Sequence, residues 1–151
     1  MNSLTNPPDL TQRPPRSTRA RLGGYVLLPR MLDKGRATLA GTNGGYRYAC
    51  PLDQQFLKFA GIDADQLKEQ IALDKGDGEL LEWITENSAT EREPWEIAQW
   101  SAFMEQRGPG DVETKGFFTS EVAKLTTTRE DILTWSDWLD LDDYVSFGGK
   151  A

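Results

Sequence analysis

The spacing of apolar and polar positions separates a short non-periodic beginning from a long helical remainder. Residues 1–22 carry two proline pairs, Pro7-Pro8 and Pro14-Pro15, which disfavour the helical region for the preceding residue and favour an extended path. Tyr25 to Ala40 is the first helix candidate, with Pro29 in its first turn, where the missing N–H costs nothing. Gly41-Thr42-Asn43-Gly44-Gly45 reads as a turn. Tyr46-Arg47-Tyr48-Ala49-Cys50 alternates like a brief strand, so one small hairpin is expected near residues 38–50. From Pro51 the pattern becomes a succession of helices. Pro51 to Ala60 ends at Gly61, and Asp63 to Leu73 begins on a favourable N-cap. Asp77 opens a helix to about Glu86, and Glu93 to Arg107 is the longest, closed by the loop Gly108-Pro109-Gly110-Asp111. Thr119 to about Leu125 follows. Thr128-Arg129-Glu130-Asp131 resembles a capping box that opens a last helix to about Leu139.

Six or seven short helices joined by short linkers predict an all-α, mostly helical single domain. Residues 1–22 form its extended Pro/Arg-rich arm, packed on a body of residues 23–151. Within the body, Glu79-Leu80-Leu81-Glu82-Trp83, Glu96-Ile97-Ala98-Gln99-Trp100 and Asp131-Ile132-Leu133-Thr134-Trp135 share one pattern of acid, apolar residue and Trp. The acid suits a helix N-terminus, and the apolar residue and Trp share a face, as in amphipathic helices that pack large side chains.

Composition narrows the chemistry. A chain of 151 residues is the length of one domain, and five Trp argue for a packed core. No apolar stretch approaches the roughly 18 residues that span a bilayer, and the first residues lack the basic start and apolar run of a signal peptide. A single cysteine, Cys50, allows no intramolecular disulfide, so a cytoplasmic protein without a membrane role is expected. The chain has no histidine. That removes the Ser-His-Asp triad, the Cys-His pair and His-ligated zinc. No catalytic residues, metal or cofactor are assigned on this basis.

Charge is unevenly placed. Residues 1–48 hold 8 Lys+Arg against 2 Asp+Glu, and residues 49–151 hold 9 against 22, so +6 and −13 sum to the overall −7. General nucleic-acid binding is not expected of such a chain. A basic arm on an acidic body either binds an anion or lies across that body. Arg16, Arg19 and Arg21 offer forked donors, and Gly23 and Gly24 offer backbone N–H groups just before a helix. Arg30 and Asp33 add charge on the first helix, with Lys34 and Arg36 completing a ladder there. Gly35, unfavourable inside a helix, marks a close approach by some neighbour. Cys50 precedes a helix start, with Asp53 in the same turn and Tyr46 upstream, and these three are secondary candidates.

The runs Arg13-Pro14-Pro15-Arg16-Ser17, Arg21-Leu22-Gly23-Gly24-Tyr25 and Leu28-Pro29-Arg30-Met31-Leu32-Asp33-Lys34-Gly35-Arg36-Ala37 form a distinctive series. Gly41-Thr42-Asn43-Gly44, Cys50-Pro51-Leu52-Asp53-Gln54 and Phe59-Ala60-Gly61-Ile62-Asp63 continue it. Together they resemble an uncharacterised bacterial family, domain of unknown function five thousand and sixty-nine. The resemblance implies a small bacterial cytoplasmic protein and carries no activity or site residues. The functional expectation therefore rests on the residues alone. It is the binding of a phosphate- or carboxylate-bearing small molecule by Arg16, Arg19, Arg21, Gly23, Gly24, Arg30 and Asp33. The alternative is a structural or protein-interaction module, docking a partner or a second copy of itself through its Trp-rich helices.

Overall fold

The computed structural model describes residues 4–151. A two-stranded antiparallel hairpin, β1 (Arg21–Leu22) and β2 (Tyr25–Val26), precedes seven helices. These are α1 (Leu28–Ala40), α2 (Pro51–Ala60), α3 (Ala64–Ile71), α4 (Asp77–Asn87), α5 (Pro94–Gln106), α6 (Val112–Ala123) and α7 (Trp135–Ser146). The mostly helical fold class expected from the pattern is the one observed, and the small hairpin exists. Its place differs. Gly23 and Gly24 take φ of +58° and +83°, the positive pair that a two-residue turn between antiparallel strands requires, so Leu22 pairs with Tyr25. The glycines outrank the later Asn43-Gly44, and residues 41–50 form turns without a strand. The hairpin also takes the first two residues expected of α1, and Leu27 becomes the N-cap of that helix.

The C-terminal third departs further. α6 begins at Val112, seven residues before the expected Thr119, because the Asp111 side chain caps it by accepting from the Thr114 N–H at 2.7 Å. The last helix begins at Trp135, not near Thr128. Thr134 accepts from the Asp137 N–H at 3.0 Å, while Asp137 accepts from the Thr134 N–H at 3.0 Å, a reciprocal capping box, whereas the Thr128 N–H donates to Thr126 Oγ1 within a loop. Arg129 and Asp131 pair with each other in the preceding loop, so the third Trp pattern is not a helical repeat.

The main core lies where α1 to α4 meet: Leu28, Met31 and Leu32 pack with Phe56, Leu57, Leu67, Ile71, Leu80 and Ile84. α5 closes it from one side, with Trp100 stacked on Phe59 at 4.8 Å and Tyr25 edge-on to Phe56 at 5.1 Å. Gly35 is the point where α1 and α3 approach. A Cβ there would sit 2.7 Å from the Ile71 Cδ1 methyl and 3.4 Å from the Tyr48 ring. A smaller cluster, Phe118, Ile132 and Leu141 with Trp135 and Trp138 at its edge, holds α6 and α7 together. Two layers result, a well-filled body and a thinner α6–α7 lobe.

Residues 14–20 run between them. The Thr18 carbonyl accepts from the Leu27 N–H at 3.0 Å, and the buried Thr18 hydroxyl donates to Ser136 Oγ at 2.8 Å. Leu27 itself, the N-cap of α1, is held at φ +71° by this junction.

Candidate functional site

The residues marked on the arm and first helix disperse into ion pairs rather than converge. Arg16 forks onto Asp33 (Nε and Nη2 each 3.0 Å from a carboxylate oxygen) and reaches Asp77 through Nη1 at 2.7 Å. Burial opposes the Arg16 charge, but Asp77 and Asp33 outweigh it and hold the guanidinium above the usual arginine range. Asp77 also takes Arg36 at 2.9 Å. Burial would raise the Asp77 carboxyl, yet the Arg16 and Arg36 hydrogen bonds bring it below the ordinary value. Arg19 bridges Asp137 and Asp140 on α7, the latter at 2.5 Å, and Arg21 lies 3.3 Å from Glu105. Gly23 and Gly24 form the hairpin turn, and the Gly24 carbonyl accepts from the Ser101 hydroxyl at 2.6 Å. The arm arginines thereby strap the two layers together.

Arg30 is different. It points between the layers, where it meets Asp143 of α7 at 2.8 Å with both side chains nearly buried. Tyr46 donates its hydroxyl to the same carboxylate at 2.7 Å, and its ring lies 5.4 Å from the Arg30 guanidinium carbon. Burial, reinforced by Asp143, pushes the Tyr46 hydroxyl well above its ordinary pKa, so it remains a donor rather than a base.

Beside this pair opens a cleft of about 640 Å³, lined by α1 and α2 and the loop between them, the end of α5, and the lobe. Pro51, Leu52, Phe117, Trp135, Trp138 and Leu139 make much of its surface apolar. Trp135 and Trp138 meet edge to face at 5.9 Å, and Phe117 meets Trp138 at 6.2 Å. Two cations line the same cleft without an ion-pair partner among the described residues: Arg47, exposed, and Arg107, half-buried at the end of α5. Asp142 also lines the cleft, its carboxyl raised by burial and then by neighbouring Asp143.

Cys50 and Lys34 complete the lining. Lys34 is buried, yet its ammonium donates to Cys50 Sγ at 3.3 Å and lies 2.8 Å from Asp53 Oδ2. That carboxylate oxygen is close to Nζ but off hydrogen-bonding angles, and it receives no hydrogen bond among the described residues.

Of the candidates read from the sequence, Arg30, Tyr46 and Cys50 therefore share the cleft, and Asp53 stands behind it through Lys34. Arg16, Asp33, Arg19, Arg21, Gly23 and Gly24 lie outside it. Lys34, Arg47, Arg107 and the aromatic wall were not singled out as site residues. Lys34 sits in a charge ladder, and its partners Cys50 and Asp53 lie 16 and 19 positions away, so helical spacing gives no hint of them.

The protein is thus an α-helical domain with a mixed aromatic and cationic cleft between two packed layers. By sequence it belongs to the family described as Domain of unknown function (DUF5069), whose model matches residues 12–145. No curated protein matches the chain.

Proposed function

We propose that the protein binds a small amphipathic anion, a carboxylate or phosphate carried on an aromatic or aliphatic body, in the cleft beside α1. The observation that carries this reading is two guanidiniums without an ion-pair partner among the described residues in a cleft with an aromatic wall. An arginine fork accepts carboxylate and phosphate alike, and an apolar wall rewards a ligand for burying carbon. The volume falls within the range of about 300–1,000 Å³ common to small-molecule sites. In this reading the arm acts indirectly. Arg19, Ser17 and Thr18 hold α7, and α7 holds the tryptophans. Ligand binding rather than catalysis is favoured, because Tyr46 is fixed as a donor and Asp143 is committed to Arg30. A bacterial cytoplasmic setting is in keeping with a chain whose lone cysteine is unpaired and whose described helices are all too short or polar to cross a membrane.

The test is thermal stabilisation by indole carboxylates, aryl phosphates and inorganic phosphate, on the wild type and on Arg47→Ser/Arg107→Ser. A ligand at about a hundred times its dissociation constant adds roughly 2.7 kcal/mol. At roughly 2–4 °C per kcal/mol for a chain of this size, the shift is plain. The organic anions should stabilise the wild type, fail on the double variant, and outdo inorganic phosphate. Equal stabilisation of both proteins would overturn the reading.

A second reading keeps one specific observation: Trp95 and Phe103 on α5 are each 63% exposed, two turns apart on one face. An interaction role through that face predicts a solution mass that rises with concentration and falls in Trp95→Ser/Phe103→Ser.

A further inference from the structure

Cys50 does not stand alone in its wall of the cleft. It is the N-cap residue of α2, and Ala49 before it takes φ +59°, a conformation rare for a residue with a Cβ. Lys34, buried on α1, directs its ammonium at the sulfur from 3.3 Å. Behind Lys34 is a carboxylate oxygen that receives no hydrogen bond among the described residues, although the ammonium balances its charge: Asp53 is 2% exposed, and its Oδ2 faces Nζ at 2.8 Å. A buried carboxylate paired without a well-aligned hydrogen bond is only partly satisfied. Lys34 is therefore shared, bonded to sulfur while within reach of a second acceptor that lacks a full bond.

We infer that Cys50 is a thiol-modification site within the cleft, taking a small disulfide that bears carboxylates, with Lys34 serving the sulfur before reaction and Asp53 after it. The selectivity for carboxylates rests on the anion-binding reading of Arg47 and Arg107. The chemistry is thiol–disulfide exchange. Cys50, having lost its proton to solvent, attacks one sulfur of the incoming disulfide. A bond forms between Cys50 Sγ and that sulfur as the original S–S bond breaks, and the electron pair leaves on the second sulfur, which takes a proton from water. Cys50 is oxidised to the disulfide level, and half of the incoming molecule is reduced to thiol. The attacking thiolate keeps the Lys34 ammonium beside it. The product sulfur is neutral and a poor acceptor, which leaves Lys34 free to turn fully to Asp53 Oδ2. The departing and retained halves both carry carboxylates, within the cleft that Arg47 and Arg107 line.

The test uses the full chain, with oxidised glutathione as the anionic disulfide and cystamine as the cationic one, read by intact mass over time. Oxidised glutathione should add one half-disulfide to the wild type and none to Cys50→Ser, and should react about tenfold faster than cystamine through electrostatic steering. Arg47→Ser/Arg107→Ser should lose that preference while remaining modifiable. Lys34→Met/Asp53→Leu, which removes both buried charges together, should slow both reagents without altering their ratio. Modification of the native protein no faster than of the urea-unfolded chain would overturn the inference, as would equal rates with the two disulfides. Cys50→Ser should still be stabilised by an aryl carboxylate, so loss of that stabilisation indicts the anion site and its retention confines a failure to the thiol.

Discussion

The body and the lobe are both helical but held by different physics. Among the described residues, the main core buries twelve apolar side chains, ten on α1 to α4 with Tyr25 of β2 and Ile62 between α2 and α3, whereas the α6–α7 cluster buries three. α6 contributes only Phe118 to the buried set. The lobe compensates with polar ties: Thr18 to Ser136, Ser17 and Arg19 to Asp140, Arg19 to Asp137, and Arg30 with Tyr46 to Asp143. Hydrophobic burial is non-directional and cumulative, so the body fixes itself. Ion pairs and hydrogen bonds fix orientation, so the lobe is positioned rather than fused. That suits a cleft between the two, whose aromatic wall must be set at a distance from α1 rather than collapsed onto it.

The comparison is tested most severely by equal truncations on each side. Phe56→Ala in the body should lose about 4–5 kcal/mol and Phe118→Ala in the lobe about 3 kcal/mol or less, since a rim cluster can relax into its own void. Urea midpoints with an unchanged slope would report the difference. Equal losses would mean that the lobe is as tightly built as the body.

Next in size is the tie across the layers. Arg30→Met leaves Asp143 buried with only the Tyr46 hydroxyl as partner and should cost about 3–4 kcal/mol, whereas Arg30→Met/Asp143→Leu should recover most of it. Chemical denaturation of the pair of variants checks this. Ser101→Ala follows, at about 1–3 kcal/mol, because it orphans both the Val26 N–H it accepts from and the Gly24 carbonyl it donates to. It lies on the body side and should leave ligand binding in the cleft unchanged.

The same division explains what was legible in the sequence. In the body, helix ends were readable because local punctuation agrees with packing. Asp63 caps α3 through Gln66 N, Gly61 ends α2 at φ +68°, and Pro29 sits in the first turn of α1. In the lobe, amphipathic periodicity is weak because little is buried, and several Thr and Asp compete as caps. Beyond its own capping box, the start at Thr134 is supported by the Trp135 N–H, which donates to the Arg107 carbonyl at 3.1 Å, a contact between residues far apart in sequence. The arm's charge was visible, but its destination was not: Arg16 and Asp77 are 61 residues apart, Arg19 and Asp140 121. The cleft was the least legible feature. Arg47 and Arg107 are set apart as cations that line the cleft without an ion-pair partner among the described residues, which no spacing reveals.

The smallest effect isolates the electrostatics of the boundary. Burial opposes ionisation of Asp137, but its hydrogen bonds from Leu133 N–H and Arg19 hold the carboxyl below its ordinary 3.8, and Asp77 behaves alike. A depressed folded pKa stabilises the native state fully above 3.8, and that contribution disappears as pH falls through the lowered value. Asp142 has the opposite sign. Its raised carboxyl, driven by burial and by Asp143, makes the charged form a liability above that raised value, relieved as pH falls through it. Asp142→Asn should therefore stabilise the protein at neutral pH by less than about 1 kcal/mol once solvent screening is counted. The same change removes a carboxylate from the cleft and should tighten binding of an aryl carboxylate, measured by quenching of tryptophan emission. Asp137→Asn should instead destabilise the lobe at neutral pH, and its difference from wild type should shrink as pH falls below 3.8 and vanish below the lowered folded value. If the two substitutions shifted stability in the same direction, the division between a self-supporting body and an electrostatically positioned lobe would fail at the point where it predicts opposite signs.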